Sequence, residues 1–276
     1  VSPPLAAERF QPWSAQHYVL LAITALGVVA VLWWGRSDRG AARELLARRG
    51  FAAVGLALTI AMQIYWLTPA VRSMHNSWPL QLSDLADYTA AFALWTRGPR
   101  TSAFTYYVGL SLTLLALITP ALTTPFPDPR WFGFWIRHMF VVWAAVYLVW
   151  GLGMRPTWRL YRTTVAAVLV WAVVAYTFNV TMGTNYGYLV DKPTASTPLD
   201  LLGPWPWYVV GAMALLLVGW AAVFTLPWEV TAARAARRAP SGARPTTVPA
   251  APAPAEQGAD GGRRRGPHRH RWSSRP

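Results

Sequence analysis

Hydrophobic residues along this chain gather into seven blocks, at about residues 17–35, 51–70, 79–96, 103–123, 132–153, 160–181 and 205–227. Each is near the twenty or so residues that a helix needs to cross a bilayer. Because hydrocarbon leaves no partner for backbone N–H and C=O groups, such blocks pair them internally as α-helix. The pattern therefore predicts an all-α fold, a polytopic membrane helical bundle of about seven transmembrane helices. The third block, "PLQLSDLADYTAAFALW", is the weakest because Asp84 and Asp87 lie inside it. Each buried acid opposes insertion by a few kcal/mol, so this segment needs neighbours. Trp33, Trp34, Trp66, Trp131, Trp150, Trp205, Trp207 and Trp228 fall near block ends, as an interfacial aromatic belt requires.

Charge adds direction to that pattern. Arg36, Arg39, Arg43, Arg48 and Arg49 follow the first block, Arg97 and Arg100 the third, and Arg155, Arg159 and Arg162 the fifth. With the arginines after the seventh block, one side holds twenty of the chain's 25 basic residues. The positive-inside rule then places the N-terminus outside and the C-terminus in the cytoplasm, in a multi-pass protein of the plasma (cytoplasmic) membrane. An odd number of crossings agrees. The net charge of +14 thus sorts by loop rather than over a face, which argues against a nucleic-acid partner.

Three regions follow: an extracytoplasmic segment, residues 1–16; a seven-helix domain, 17–228; and an Arg/Pro/Ala-rich cytoplasmic tail, 229–276. No charged n-region and cleavage site precede the first block, so no removable signal is expected. The tail has too few large apolar residues to offset its ordering entropy and is expected to be disordered. It either contacts anionic lipid headgroups or only reinforces topology. His268 and His270, among arginines, make a poor metal site. The chain has no cysteine, which excludes disulfides, thiolate metal sites and a cysteine nucleophile. No glycine-rich phosphate loop, HExxH or calcium loop is present, and neither cofactor nor metal is expected.

Placed on this topology, the unusual polar residues converge. Ser83, Asp84 and Asp87 lie in the outer half of the third segment. Asp84 and Asp87 share a helix face, as do Ser83 and Asp87. Arg137 and His138 lie early in the fifth, and Asn179, Thr181, Thr184 and Asn185 at the outer end of the sixth. His75 follows the second. Such groups must face the bundle interior or a cavity. Asp84 or Asp87 is a candidate partner for Arg137 or for protonated His138. A histidine beside an acid supplies a general base, and Ser83 is a nucleophile if His138 reaches it. Otherwise the acids and Arg137 are an inter-helix ion pair, and the Ser83 hydroxyl bonds the carbonyl four residues back.

"NYGYLVDKPTASTPLDLLGPWPWY", from Asn185 to Tyr208, holds the chain's only lysine, Lys192. Its glycines and prolines interrupt regular structure, and "STPLD" marks a helix start at Ser196 or Thr197, with Asp200 close behind. The stretch reads as a cap folded over the polar pocket, or as an interfacial segment that seals the bundle.

This stretch, together with "PLQLSDL" and "PDPRWFGFWIRH", resembles the YwaF-type bacterial integral-membrane proteins across roughly residues 15–227. That group is distantly similar to eukaryotic transmembrane protein 164 and, more remotely, to the androgen-induced membrane hydrolases. The resemblance implies acyl chemistry, by transfer between phospholipids or by ester hydrolysis, using a cysteine or threonine nucleophile and a histidine. His138 matches the histidine of "IRH". Gln81 and Ser83 stand where many bacterial members have the histidine and cysteine of "PLHLCDL", and Leu80 aligns with the transferase cysteine.

Three functions are therefore in play. A lipid acyltransferase or acyl-ester hydrolase would act on a phospholipid or fatty-acyl substrate from surrounding membrane lipids. His138, Ser83 and Asp84 would be catalytic; Asn179, Asn185, Tyr186, Lys192, Arg137 and Asp87 would bind ligand. A transporter or small-ligand-binding protein would use Asp84 and Asp87 instead, though no internal repeat is visible. Seven spans alone would also fit a scaffold or receptor-like subunit.

Overall fold

The computed structural model describes residues 9–122, 124–193 and 197–238. Among the described residues every regular element is helical. Six helices among those residues are long and apolar enough to cross a membrane: α1 (Ala15–Ser37), α2 (Ala42–Leu67), α4 (Pro99–Ile118), α5 (Pro129–Gly151), α6 (Trp158–Met182) and α7 (Trp207–Arg238). The chain is thus a multi-pass membrane protein. The third predicted segment forms α3 (Leu82–Thr96), of only 15 residues. At 1.5 Å per residue it extends about 22 Å, short of a bilayer's roughly 30 Å of hydrocarbon. Its start is set by local chemistry. Pro79 precedes it, Gln81 caps it, and the Asp84 carboxylate accepts a hydrogen bond from the Gln81 amide at 3.1 Å.

Burial shows which helices are central. The apolar windows of α4 and α5 are 56% and 67% buried, against 17% for α1, α2 and α6 and 11% for α7. Accordingly α4 and α5 form the middle of the bundle, with α3 wedged against both and against α2. The face α3 turns inward is small: Ala86, Ala90 and Ala93 are fully buried. Hydrocarbon provides no strong drive for apolar faces to associate, so close packing by small residues has to hold helices together. Glycines serve that end. A Cβ at Gly55 would overlap the Phe140 ring, one at Gly27 the Trp143 indole, and Gly35 meets Gly151 backbone to backbone.

Three helices contain a π-turn: α4 at Gly109–Thr113, α5 at Tyr147–Gly151 and α7 at Trp220–Thr225. The first and third are joined, since the Trp220 indole N–H donates to Ser111 Oγ at 2.9 Å. The seventh helix also runs to Arg238, so residues 229–238, expected to belong to the tail, are helical. The rest of the tail, with His268 and His270, and residues 1–8 lie outside the described residues, as does Ser196. Asp200 bonds the Thr197 amide at 2.9 Å, so the start read at "STPLD" forms a short 3-10 helix, Pro198–Leu202.

Candidate functional site

A polar cavity of about 400 Å³ lies between α2, α3, α5 and the loop after α6; its walls include Gln63, Ser83, Asp84, Arg130, Arg137 and His138. The convergence read from the sequence is therefore real for Ser83, Asp84, Arg137 and His138. Asp87 lies just behind the wall, almost fully buried. One guanidinium joins the two acids: Arg137 Nε donates to Asp87 Oδ2 at 2.6 Å and Nη2 to Asp84 Oδ1 at 2.7 Å. The expectation offered either acid as the partner, and Arg137 takes both. A cation placed between two carboxylates offsets part of the cost of burying them.

That ion triad leaves His138 separate from the acids. Its Nδ1 lies 2.7 Å from the Phe134 carbonyl oxygen, which only accepts, so Nδ1 carries the proton and donates. Nε2 is then the basic nitrogen, and it has no partner among the described residues. The Phe134 ring lies over the imidazole with centroids 4.3 Å apart. Asp84, expected beside the histidine as its acid, instead has one oxygen on Arg137 and the other on the Gln81 amide.

Ser83 differs from many hydroxyls of the bundle. Thr24, Thr59, Thr89, Thr105 and Thr177 each donate to a carbonyl four residues back. Ser83, in the first turn of α3, makes no hydrogen bond among the described residues, and none joins it to His138. It borders two spaces. An apolar groove of about 280 Å³, walled by Leu112, Val168, Trp171, Met213 and Leu216, also has Gln81, Ser83 and Tyr188 in its lining. The same three residues line the polar cavity.

The loop after α6 is folded against this junction and held at both ends. Gly187 adopts φ +68°, which glycine takes without strain, and its amide donates to Gln81 Oε1 at 3.0 Å. The Tyr188 carbonyl accepts from Tyr208 Oη at 2.7 Å, and the Trp171 indole bonds the Leu80 carbonyl at 2.9 Å. Here the remaining predicted ligand residues have other partners. Buried Asn179 accepts from Thr184 Oγ1 and the Tyr186 amide and donates to the Tyr186 carbonyl. Asn185 bonds Val190 and Asp191 of its own loop. The Tyr186 hydroxyl donates to the Met74 carbonyl, and Lys192 sits over the Tyr208 ring, 3.8 Å from Asp200. None of the four lines the polar cavity. His75 is exposed and outside it as well.

Several wall residues went unnoticed in the sequence: Gln63, Asn76, Thr124, Arg130 and Tyr188. Gln63, a lone amide inside the apolar run of α2, was the available signal. It donates to the Ser77 carbonyl at 2.8 Å and tethers the loop before α3. Arg130 holds Asp128, the N-cap of α5, in a two-pronged pair at 3.0 and 2.8 Å. That hydrogen bonding keeps the Asp128 carboxyl below the usual carboxylate range.

The sequence matches the model of the TMEM164 family over residues 12–224, from the start of α1 to the π-turn of α7. The chain belongs to the TMEM164 family. The matched span of this TMEM164 family member contains both cavities and the loop between them, and excludes the tail. No curated protein and no solved structure matches the chain.

Proposed function

We propose that the two adjacent cavities form a lipid site at the outer leaflet, with the polar chamber taking the ester and headgroup and the apolar groove an acyl chain. The observation that carries this reading is the position of Ser83, whose unbonded hydroxyl borders both spaces. An acyl ester is the group that needs a polar and an apolar surface on either side of one carbonyl. In this reading the protein is a lipid acyltransferase or acyl-ester hydrolase of seven crossings, with its N-terminus outside and its C-terminus in the cytoplasm of the plasma membrane. The motif around Ser83 and the loop "GTNYGY" also favour its placement in the YwaF-type bacterial branch.

The chemistry follows from the free atoms. His138 Nε2 accepts the Ser83 proton as Ser83 Oγ attacks the acyl carbonyl, and the imidazolium returns that proton to the departing lysolipid oxygen. The acyl group, held as an ester on Ser83, passes to a second lysolipid or to water. Arg137, which lines the cavity beside Asp84 with Asp87 behind it, is placed to meet a phosphate or a developing oxyanion. The absence of a Ser83–His138 hydrogen bond means that substrate has to bring the pair together, and it favours one second reading: a lipid- or small-ligand-binding site without turnover. A transporter using Asp84 and Asp87 is less favoured, because Arg137 already pairs with both.

Purified protein incubated with acyl-labelled phospholipid, followed by lipid mass spectrometry, tests the proposal. Label should move to a lyso-acceptor or to free fatty acid with wild type and not with His138→Ala or Ser83→Ala. Lipid retained without label movement in all three would leave binding alone as the function.

A further inference from the structure

The end of the bundle remote from this site has a second pair of neighbouring spaces. A cleft of about 590 Å³ lies where α3, α4 and α6 meet, walled by Phe92, Gly98, Arg100, Thr101, Arg159 and Leu160. An apolar groove of about 830 Å³ runs between α2 and α3, walled by Ala52, Ala57, Ile60, Thr89, Phe92 and Trp95 among others. Phe92, 57% exposed, belongs to both.

The charges around these spaces are of one sign. Arg100 and Arg159 line the cleft, and neither has a hydrogen-bonded or ion-pair partner among the described residues. No acidic residue lines the cleft or the groove. Arg49 lies at the same end, its guanidinium 5.0 Å from the centre of the Trp95 ring. Neighbouring arginines behave differently. Arg48 bonds Glu44 and the carbonyls of Leu94 and Trp95, and Arg39 bonds the Gly151 and Trp150 carbonyls, so both serve the fold. The groove contains no charged side chain, and its one threonine, Thr89, donates to the Leu85 carbonyl. From Ala52 to Ile60 the groove follows nine residues of α2, or about 12 Å of helix.

We propose that this face holds one anionic glycerophospholipid, with its phosphate headgroup between Arg100 and Arg159 and one acyl chain across Phe92 into the α2–α3 groove. The shape calls for an apolar occupant with a polar end, and the arginines select a negative one. A second copy of the chain is disfavoured as occupant, because it would set these arginines against its own. The site is independent of the Ser83 cavity and does not depend on what that cavity does.

Native mass spectrometry of delipidated protein, with phosphatidylglycerol and phosphatidylcholine of identical chains added separately, tests this. Wild type should retain one phosphatidylglycerol about 30-fold more tightly than phosphatidylcholine, the ratio expected for two arginines at a headgroup surface. Arg100→Gln with Arg159→Gln should reduce that ratio to about 1 while the unfolding temperature stays within a few degrees. Ala57→Trp, which fills the groove but leaves the arginines, should weaken both lipids. Glycerol 3-phosphate should fail to bind wild type, because the headgroup alone lacks the groove contact. Equal retention of the two lipids by wild type, or an unchanged preference in the arginine double variant, overturns the proposal. Binding of glycerol 3-phosphate as tight as that of the lipid overturns the groove's part in it.

Discussion

The Asn179–Tyr186 cluster and the Ser83–His138 wall lie on opposite sides of one loop, and both were rich in polar side chains at the sequence level. In the first, every polar side-chain atom of Asn179, and the Tyr186 hydroxyl, has a partner within the chain. In the second, Ser83 Oγ and His138 Nε2 have none among the described residues, and both residues face a cavity. A polar group buried in a membrane bundle must be satisfied from somewhere. Where the chain itself supplies the partner, the group supports the fold. Where it does not and the group also faces a cavity, a ligand has room to supply the partner. The contrast teaches that an unpaired group facing a cavity, rather than depth or residue type, separates site from scaffold.

The contrast can be tested by substitution, beginning with the change expected to lower stability most. Arg137→Ala would strand Asp84 and Asp87 beside each other, at a loss of about 3–5 kcal/mol. Unfolding in detergent should show it, and adding Asp84→Asn and Asp87→Asn should recover most of the loss. Asn179→Ala unpairs the Tyr186 backbone and Thr184, at about 2–3 kcal/mol, while any lipid turnover per folded molecule survives. His138→Ala should reverse that pattern: stability changes by about 1 kcal/mol or less, while label transfer falls by about 10²–10⁴-fold, the usual contribution of a general base. For Ser83→Ala the unfolding midpoint should shift by no more than about 0.5 kcal/mol, because no hydrogen bond is lost. A loss as large as that of Asn179→Ala would make the hydroxyl structural and end the contrast. Lys192→Ala should also be mild. Its contact with Asp200 is long and partly exposed, and removing it should change stability by about 0–1 kcal/mol.

Much of the fold was legible because membrane helices announce themselves by length and apolarity. Six of the seven blocks became long apolar helices, of which α7 extends past Trp228 to Arg238; the third block became the short α3, which starts after the Pro79–Gln81 turn. The level of the polar residues could also be read, since topology fixes which end of each segment they occupy. Rotation and pairing were less accessible. The shared face of Asp84 and Asp87 was visible from their spacing, but that one arginine would take both is a fact about how α5 is turned against α3. Likewise the names Asn179, Asn185, Tyr186 and Lys192 mark a polar loop, and only its folded path shows that they bond to it rather than to a cavity. Gln81 was recognised as a motif position, yet its contact with Gly187 joins segments 106 residues apart.

The π-turns have a consequence for comparing relatives. Such a turn is one residue longer than the α-helical turn it replaces, so it behaves like a single-residue insertion within a helix. A relative with regular helix at Gly109–Thr113, Tyr147–Gly151 or Trp220–Thr225 would need a one-residue gap at that point to keep equivalent faces in register. Ungapped pairing would rotate everything beyond the turn by about 100° and match lipid-facing positions with buried ones. The α4 turn lies between Ser83 and His138, and Tyr188 follows the turns of both α4 and α5, so a comparison of the cavity has to be re-anchored after each turn.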